Sequence, residues 1–234
     1  MTVKKHIPNL ITCLNLCSGM AGIYVVLEGR ILWGAYFVMA AAVFDFLDGF
    51  LAKLLSAHSE IGKQLDSLAD MVTFGVLPAF IAFKLLQSGG QLEYLPYLAF
   101  LIGIQSALRL AKFNIDERQS ERFIGLPTPA NALFFSTLPH LALSIPSLGK
   151  TLLHPIVLGL LVVIFAFLLT AELPLLALKF KTFSVKKNFL KYTLLAVGFF
   201  VLVFWGVGGV PFIIVTYLGL SMVDHSLTKN AVQL

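Results

Sequence analysis

Long, nearly uninterrupted apolar stretches alternate with short polar connections along the whole chain. A helix needs about 20 mostly apolar residues to cross the hydrocarbon core of a bilayer. Because backbone groups cannot stay unpaired in lipid, such stretches predict helices, and their continuous apolar character argues against the alternating pattern of a β-barrel. We therefore predict an all-α, polytopic bundle of about eight transmembrane helices, at residues 9–28, 32–55, 60–86, 94–112, 127–147, 152–174, 189–206 and 208–226.

The composition agrees with a membrane protein. Of the 234 residues, 58% are hydrophobic and 12% are charged, whereas charged residues make up about a quarter of a soluble domain. The first stretch is longer than the apolar region of a signal peptide and no A-x-A site follows it, so we expect it to stay as a transmembrane helix. We predict a single integral membrane domain over residues 1–234, with a catalytic core at about 4–147 and additional spans at 152–226.

The net charge of +5 is distributed unevenly between the two ends of the predicted spans. If the N-terminus is cytoplasmic, only Arg30, Lys84 and Lys150 lie at outer ends. This pattern follows the positive-inside rule, so we predict both termini in the cytoplasm and do not attribute the charge to nucleic-acid binding. The basic residues at the inner ends are Lys4, Lys5, Lys53, Lys63, Arg109, Lys112, Arg118, Arg122, Lys179, Lys181, Lys186, Lys187, Lys191 and Lys229.

Four aspartates interrupt the second and third apolar stretches. Asp45 and Asp48 are three residues apart, and Asp66 and Asp70 are four residues apart, so each pair lies on one face of its helix. Ionisable groups at membrane depth are costly and usually functional. The two pairs are therefore the first candidates for the chemistry of this protein.

The short turn at 56–59 sets the depth of the aspartates. Asp48 and Asp66 lie eight and seven residues from this turn, and Asp45 and Asp70 each lie eleven residues from it. At a rise of 1.5 Å per residue, the two levels are roughly 11 Å and 16 Å below the turn. An antiparallel pair of helices, the second one capped by Ser59, would bring all four carboxylates together.

Four carboxylates cannot all stay charged in a small, partly dry site without cations. Oxygen ligands favour hard divalent ions, and no Cys or His stands in the acidic stripes to favour zinc. We expect Mg²⁺ or Mn²⁺, with two ions in all, held by Asp45, Asp48, Asp66 and Asp70 in a phosphoryl-transfer site. A cation- or proton-coupled transporter is the alternative from another class, although such proteins often have repeated halves that this sequence lacks.

The residues around the aspartates form a motif with fixed spacing, Asp45-x-x-Asp48-Gly49-x-x-Ala52-Lys53, eight residues, then Gly62-x-x-x-Asp66-x-x-x-Asp70. This motif resembles the signature of the CDP-alcohol phosphotransferase family. The family usually has Arg at the position of Lys53, and Lys keeps the charge but loses the planar fork. The segments IPNLITCLNLCSG, QLDSLADMVTFGVLPA, RLAKFN and GLPTPA are similar to those of bacterial and archaeal phosphatidylserine synthases within this family.

The resemblance implies a reaction in which CDP-diacylglycerol and L-serine give phosphatidylserine and CMP. It implies that Asp45, Asp48 and Asp66 are metal ligands and that Asp70 is both a ligand and the general base for the serine hydroxyl. It also implies a homodimer. Sister enzymes that use glycerol 3-phosphate or inositol share the core motif and are the nearest alternative. The residues implied at the CDP group and its phosphates are Asp48, Gly49, Ala52, Lys53, Gly62 and Asp66.

Further polar residues near the inner ends of the spans are candidates for substrate contacts: Arg109, Lys112, Asn114, Thr128, Asn9, Thr12 and Asn15. The first two suit a phosphate or the serine carboxylate, and equally an anchor at the membrane surface. The next two suit the amino acid or a helix cap. The last three suit the nucleotide or a neighbouring helix. We expect a prokaryotic cytoplasmic membrane, with the active site near its cytoplasmic face.

Overall fold

The computed structural model describes residues 6–57, 59–90, 92–115, 123–176, 184–185 and 188–232. Within these residues the chain is helical apart from one pair of two-residue strands. A π-helical segment, Met71–Val76, joins α3 to α4 without a break, and a 3-10 turn, Leu95–Ala99, precedes α5. The helices of the first half are α1 (His6–Leu27), α2 (Trp33–Leu54), α3 (Glu60–Asp70), α4 (Leu77–Ser88) and α5 (Phe100–Ile115).

The second half contains shorter helices, several of which begin with a proline in the first turn, where the missing N–H costs no hydrogen bond. A 3-10 turn, Gly206–Gly209, separates the last two helices. Strands β1 (Phe123–Ile124) and β2 (Pro174–Leu175) pair in antiparallel fashion. The helices are α6 (Thr128–Ser144), α7 (Pro146–Leu152), α8 (Pro155–Thr170), α9 (Phe189–Trp205) and α10 (Val210–Val232).

The predicted all-α fold is confirmed, and each predicted apolar stretch is largely helical in the described part of the chain. By length and hydropathy, five helical segments are able to cross a membrane, or up to six if the α7–α8 pair, bent by 70°, forms one span. Residues Phe189–Ser226 count as a single segment of 38 residues in that number. The count of eight spans therefore stays a prediction.

The long C-terminal segment does not form one straight rod. A helix of 38 residues would be about 57 Å long, nearly twice the thickness of the hydrocarbon core. The chain breaks at Gly206, whose φ of 53° lies in the left-handed region. A Cβ built on Gly209 would lie 2.8 Å from the carbonyl oxygen of Val201, so α10 folds back closely against α9.

The centre of the bundle is formed by the π segment with α4 and α6, whose aromatic and aliphatic side chains include the fully buried Phe74, Ile81 and Phe135. Large apolar side chains on the outside, such as Phe199 and Phe204, are exposed and suit contact with lipid chains. This arrangement leaves the polar side chains of α1, α2, α3 and α5 to face one another at one end of the bundle.

The start of α6 is fixed by backbone bonds to the end of α8. The N–H of Gly125 donates to the carbonyl of Leu173 at 3.0 Å, and the N–H of Leu126 donates to that of Leu168 at 2.9 Å. Gly125 has a φ of 78° and lies so close to Leu169 that a Cβ would be 2.6 Å from its carbonyl oxygen. Glycine is therefore required at this turn.

Several of the basic residues from which we predicted the orientation in the membrane lie outside the described residues. This applies to the basic residues Lys4, Lys5, Arg118, Arg122, Lys179, Lys181, Lys186 and Lys187, and to the side chain of Lys229.

Candidate active site

Helix α2 carries its two aspartates on the side that faces the bundle. Asp48 is buried, with 6% of its surface exposed, and Asp45 is half-buried. On the other side, Phe46 and Phe50 are exposed and stack on each other with their ring centroids 6.3 Å apart. The helix therefore separates an acidic face from an aromatic face, as expected for a helix between a polar site and lipid.

Helix α3 begins at Ser59, whose Oγ accepts a hydrogen bond from the backbone N–H of Gly62 at 3.0 Å. This cap fixes where the helix starts, and hence the direction in which its side chains point. Asp66 stands in the middle of the helix and Asp70 is its last α-helical residue. Both are half-buried and face the neighbouring helices.

Three of the four predicted carboxylates converge. One carboxylate oxygen from each of Asp45, Asp48 and Asp66 lies within 4.8 Å of the other two. Asp66 interacts electrostatically with both Asp45 and Asp48. Asp70 lies outside this group, one turn further along α3, and interacts electrostatically with Asp45 and Asp66. We call Asp45, Asp48 and Asp66 the carboxylate trio; the sequence predicted a single group of four.

Helix α1 holds two of the acids from its polar face. The hydroxyl of Thr12 donates to Oδ2 of Asp48 at 2.6 Å. One turn later, Nδ2 of Asn15 donates to Oδ1 of Asp70 at 3.1 Å. Thr12 and Asn15 thus contact neighbouring helices, one of the two roles that the sequence left open, and contact of Thr12 with a nucleotide stays a prediction. Their spacing of three residues was the available signal, because it puts both on one face.

The π-helical segment directly after Asp70 is locked against α1. The hydroxyl of Thr73 donates to the backbone carbonyl of Asn15 at 3.2 Å. A Cβ built on Gly19 would lie 2.5 Å from Oγ1 of Thr73, so only glycine permits this approach. Single π-helical turns inside α-helices often occur at functional sites. Here the turn fixes the backbone that follows Asp70.

A cavity of about 520 Å³ opens beside the trio, near the α2–α3 turn. Its volume falls within the range of small-molecule sites. Most residues that the sequence associated with the CDP group are among those that line it: Asn9, Thr12, Asp48, Gly49, Ala52, Gly62 and Asp66, together with Pro8, Ala57, Ser59, Glu60 and Lys63.

The two glycines of this cavity differ in their surroundings. A Cβ built on Gly49 would meet no atom within 4 Å, so no protein contact demands glycine there. A Cβ built on Gly62 would lie 3.0 Å from both Oδ1 of Asn9 and Oγ of Ser59. Gly49 therefore leaves free space in the cavity itself, whereas Gly62 permits α3 to start close to α1.

The two lysines near the cavity occupy different places. Lys53, in the last turn of α2, is exposed and is not among the residues that line the cavity. Lys63, which the sequence analysis did not single out for binding, lines it. Its Nζ donates to the backbone carbonyl of Asn114 at 3.0 Å, and Nδ2 of Asn114 donates to Oγ of Ser67 at 2.9 Å.

On the α5 side of Asp70 stands a buried arginine. Arg109 has 7% of its surface exposed and interacts electrostatically with Asp70 and with Tyr217 of α10. Its Nε has no hydrogen-bond partner among the described residues. Lys112 is exposed at the end of the same helix, so the structure separates these two basic candidates.

Two further buried polar residues were missed by the sequence analysis. Ser106 lies one turn before Arg109, and Asn131 lies one turn after Thr128, which is itself buried at the start of α6. Within the described part of the chain, Oγ of Ser106 and both side-chain atoms of Asn131 have no hydrogen-bond partner. Their spacing of three residues from the named candidates was the signal that could have found them.

The donor set of the trio fits a hard divalent cation. All its ligand atoms are carboxylate oxygens, which Mg²⁺ and Mn²⁺ prefer. Oδ1 of Asp66 is buried and has no partner among the described residues. A buried carboxylate oxygen without a partner is costly. The residues present therefore fit a bound cation.

Fold and site together define an integral membrane protein with an acidic centre that opens into a polar cavity. The sequence model of the CDP-alcohol phosphatidyltransferase family matches residues 5–217. The chain belongs to that family.

Curated relatives have consistent names. The chain is 37% identical over 129 residues to a CDP-diacylglycerol–serine O-phosphatidyltransferase of Bacillus subtilis, covering 53% of this chain and 70% of that protein. It is 35% identical over 134 residues to the protein of that name from Mycobacterium leprae, covering 54% and 44%. It is 32% identical over 135 residues to an archaetidylserine synthase of Methanothermobacter thermautotrophicus, covering 56% of each. The match thus spans about half the length of the last two relatives.

Proposed function

We propose that this protein is a phosphatidylserine synthase, which transfers the phosphatidyl group of CDP-diacylglycerol to the hydroxyl of L-serine and releases CMP. The observation that carries the proposal is the convergence of the family motif in space: Asp45, Asp48 and Asp66 come together, and Asp48 and Asp66 line a cavity with Gly49, Ala52 and Gly62. The curated relatives from Bacillus and Mycobacterium have names that state this reaction.

In this proposal Asp45, Asp48 and Asp66 hold Mg²⁺ or Mn²⁺. A bound divalent ion supplies positive charge that offsets the charge of the phosphates and of the leaving group. Thr12 orients Asp48 through its hydrogen bond of 2.6 Å. A second ion, with Asp70 among its ligands, stays a prediction of the motif.

Asp70 acts as the general base. Its carboxylate accepts the proton of the serine hydroxyl, and the serine oxygen forms a bond to the phosphorus that carries diacylglycerol. The bond from this phosphorus to the oxygen of CMP breaks, and CMP leaves with the electron pair. Asn15 holds Oδ1 of Asp70, which leaves the second oxygen for the acceptor.

The nucleotide end of the substrate occupies the cavity near the α2–α3 turn, where Gly49, Ala52 and Gly62 leave room for it. The acceptor binds on the α5 side of Asp70. Arg109 suits the serine carboxylate, since it is buried, interacts with Asp70 and has an unpartnered Nε. Thr128 is buried at the start of α6, whereas Lys112 is exposed and Asn114 is half-buried at the end of α5.

For the topology we propose eight spans, with both termini and the active site on the cytoplasmic side of a prokaryotic cytoplasmic membrane. The fold-back of α10 on α9 supports two spans in the last segment, and the distribution of basic residues supports the orientation. The catalytic core is at about 4–147, and the spans at 152–226 support it. One such contact is the electrostatic interaction of Tyr217 in α10 with Arg109 in α5. A homodimer stays an expectation from the family resemblance.

The test is release of CMP by the purified protein from CDP-diacylglycerol. We expect release to require both L-serine and a divalent cation. Release that ignores serine but requires glycerol 3-phosphate or inositol would assign a sister reaction of the same family. Ion transport by reconstituted protein without CMP release would favour the transporter instead.

A further inference from the structure

We propose that Lys63, rather than Lys53, is the side-chain cation that binds the diphosphate of the nucleotide-lipid substrate. The inference rests on the proposed function, because that function assigns the cavity to a CDP-linked lipid. The family motif points to the position of Lys53, and the structure points to a residue on the next helix.

Lys63 stands where a phosphate near the carboxylate trio would be in reach. It directly follows Gly62 and precedes Asp66 by three residues, and all three residues line the cavity. Positions three apart on a helix are neighbours on one face. A ligand that touches the trio from the cavity therefore lies beside the side chain of Lys63.

The ammonium of Lys63 is bonded to the neighbouring helix α5, although the side chain is exposed, as that of Lys53 is. Its Nζ donates to the backbone carbonyl of Asn114 at 3.0 Å, near the end of α5. Carbonyl groups at a helix C-terminus carry partial negative charge and attract cations. An ammonium has three donors, so two are left for phosphate oxygens.

Lys53 lacks these properties. It follows Ala52 by one residue, which turns it by about 100° around the axis of α2. Ala52 and Gly49 line the cavity, whereas Lys53 is exposed and lies outside its lining. The difference between the two lysines is therefore their position: Lys63 lines the cavity and Lys53 does not.

The charges around the cavity also favour a role for Lys63. Its lining includes the carboxylates of Asp48, Glu60 and Asp66, and among the described residues that line it Lys63 is the only Lys or Arg. An anionic diphosphate in this cavity needs compensating positive charge from the protein as well as from a bound metal. Among the described lining residues, Lys63 supplies this charge.

A purely structural role makes a different prediction. Lys63 also ties α3 to α5, and the same tie includes the hydrogen bond between Asn114 and Ser67. Ser67→Ala removes that bond and leaves the cation. If Lys63 matters only as a tie between helices, Ser67→Ala should resemble a neutral substitution of Lys63.

The experiment compares full-length wild-type protein with K63M, K63R, K53M and S67A, purified in detergent. CMP release is measured while CDP-diacylglycerol is varied at saturating acceptor and Mg²⁺, and free CDP is titrated as an inhibitor. We expect K63M to raise KM for CDP-diacylglycerol and the inhibition constant of CDP by about 10- to 100-fold, the range for loss of a charge-assisted hydrogen bond. K63R should recover most of the loss, and KM for serine in K63M should stay within about twofold of wild type. In K53M and S67A, KM for CDP-diacylglycerol should also stay within about twofold of wild type.

An unchanged KM in K63M, or a larger effect in K53M, would overturn the proposal. Equal losses in K63M and S67A would also overturn it, because they assign Lys63 to the helix tie. Thermal unfolding midpoints verify folding, and K63Q replaces K63M if the latter is unstable. If the wild-type enzyme uses an acceptor other than serine, the proposed reaction is wrong, but the role of Lys63 is still tested. The same comparison of KM for CDP-diacylglycerol is then made with the acceptor that the enzyme uses.

Discussion

Asn15 on the first helix donates its side-chain amide to Oδ1 of Asp70 on the third, at 3.1 Å. Asn15 is fully buried, and its own backbone carbonyl accepts from Thr73 in the π segment. One helix thus fixes both the carboxylate of Asp70 and the backbone that follows it. The proposed general base is therefore oriented by a residue outside the acidic motif.

Replacing Asn15 by Leu should slow turnover without weakening substrate binding. Leu has a similar size but no donor, so Asp70 loses a bond to its carboxylate. We expect kcat to fall by about 10- to 100-fold, the range for a hydrogen bond to a charged group, with KM for CDP-diacylglycerol little changed. Ser18→Ala is the control, since Ser18 lies one turn later on α1 and its hydroxyl donates to the carbonyl of Phe37 and not to an aspartate of the site. Equal kcat values in both variants would contradict the role of Asn15.

Replacing Asp70 by Asn tests the base itself. The amide keeps the shape of the side chain but does not accept the proton of the serine hydroxyl. Turnover should collapse by at least about 10²-fold, the lower range for general base catalysis, while inhibition by free CDP partly survives, because Asp70 lies outside the carboxylate trio. Retained turnover in this variant would rule out Asp70 as the base.

The helices were predictable because lipid allows only paired backbones, so each apolar stretch had to become a helix. The depth of the aspartates was also predictable, since it follows from the rise of a helix and one short turn. Their grouping was less so. Asp70 lies one turn beyond Asp66 on α3, and whether its carboxylate reaches the trio depends on how α2 packs against α3, which residue spacing does not indicate.

Contacts between helices were the part that the sequence left open. Lys63 is directed by the carbonyl of Asn114, 51 residues away along the chain, and the distance between two such residues depends on how α5 packs against α3. For the same reason Thr12 and Asn15 were equally suited to a nucleotide and to a neighbouring helix. Motif spacing identified residues on one helix, whereas the direction of long side chains required the packed bundle.

Removing the divalent cation should abolish CMP release, and Mg²⁺ or Mn²⁺ should restore it. In Asp66→Asn the metal concentration for half-maximal activity should rise by at least about tenfold, since a carboxylate ligand is lost. Glu60→Gln is the matched control: it removes a carboxylate from the same cavity but not from the trio. A metal titration of CMP release gives both values. Full activity in excess chelator, or an equal shift in the two variants, would contradict the assignment of the trio.

The glycines of α1 and α2 should respond to a methyl group in opposite ways. A Cβ at Gly49 meets no atom within 4 Å, whereas a Cβ at Gly19 lies 2.5 Å from Oγ1 of Thr73 and 3.0 Å from its Cα. Gly49→Ala should therefore fold with an unchanged thermal midpoint but raise KM for CDP-diacylglycerol, because the methyl group takes substrate space. Gly19→Ala should lower the free energy of unfolding by about 1–3 kcal/mol through overpacking. Thermal unfolding and CMP release, measured on both variants in one detergent, separate the two effects. A destabilised Gly49→Ala with normal KM would mean that Gly49 serves packing and not the substrate.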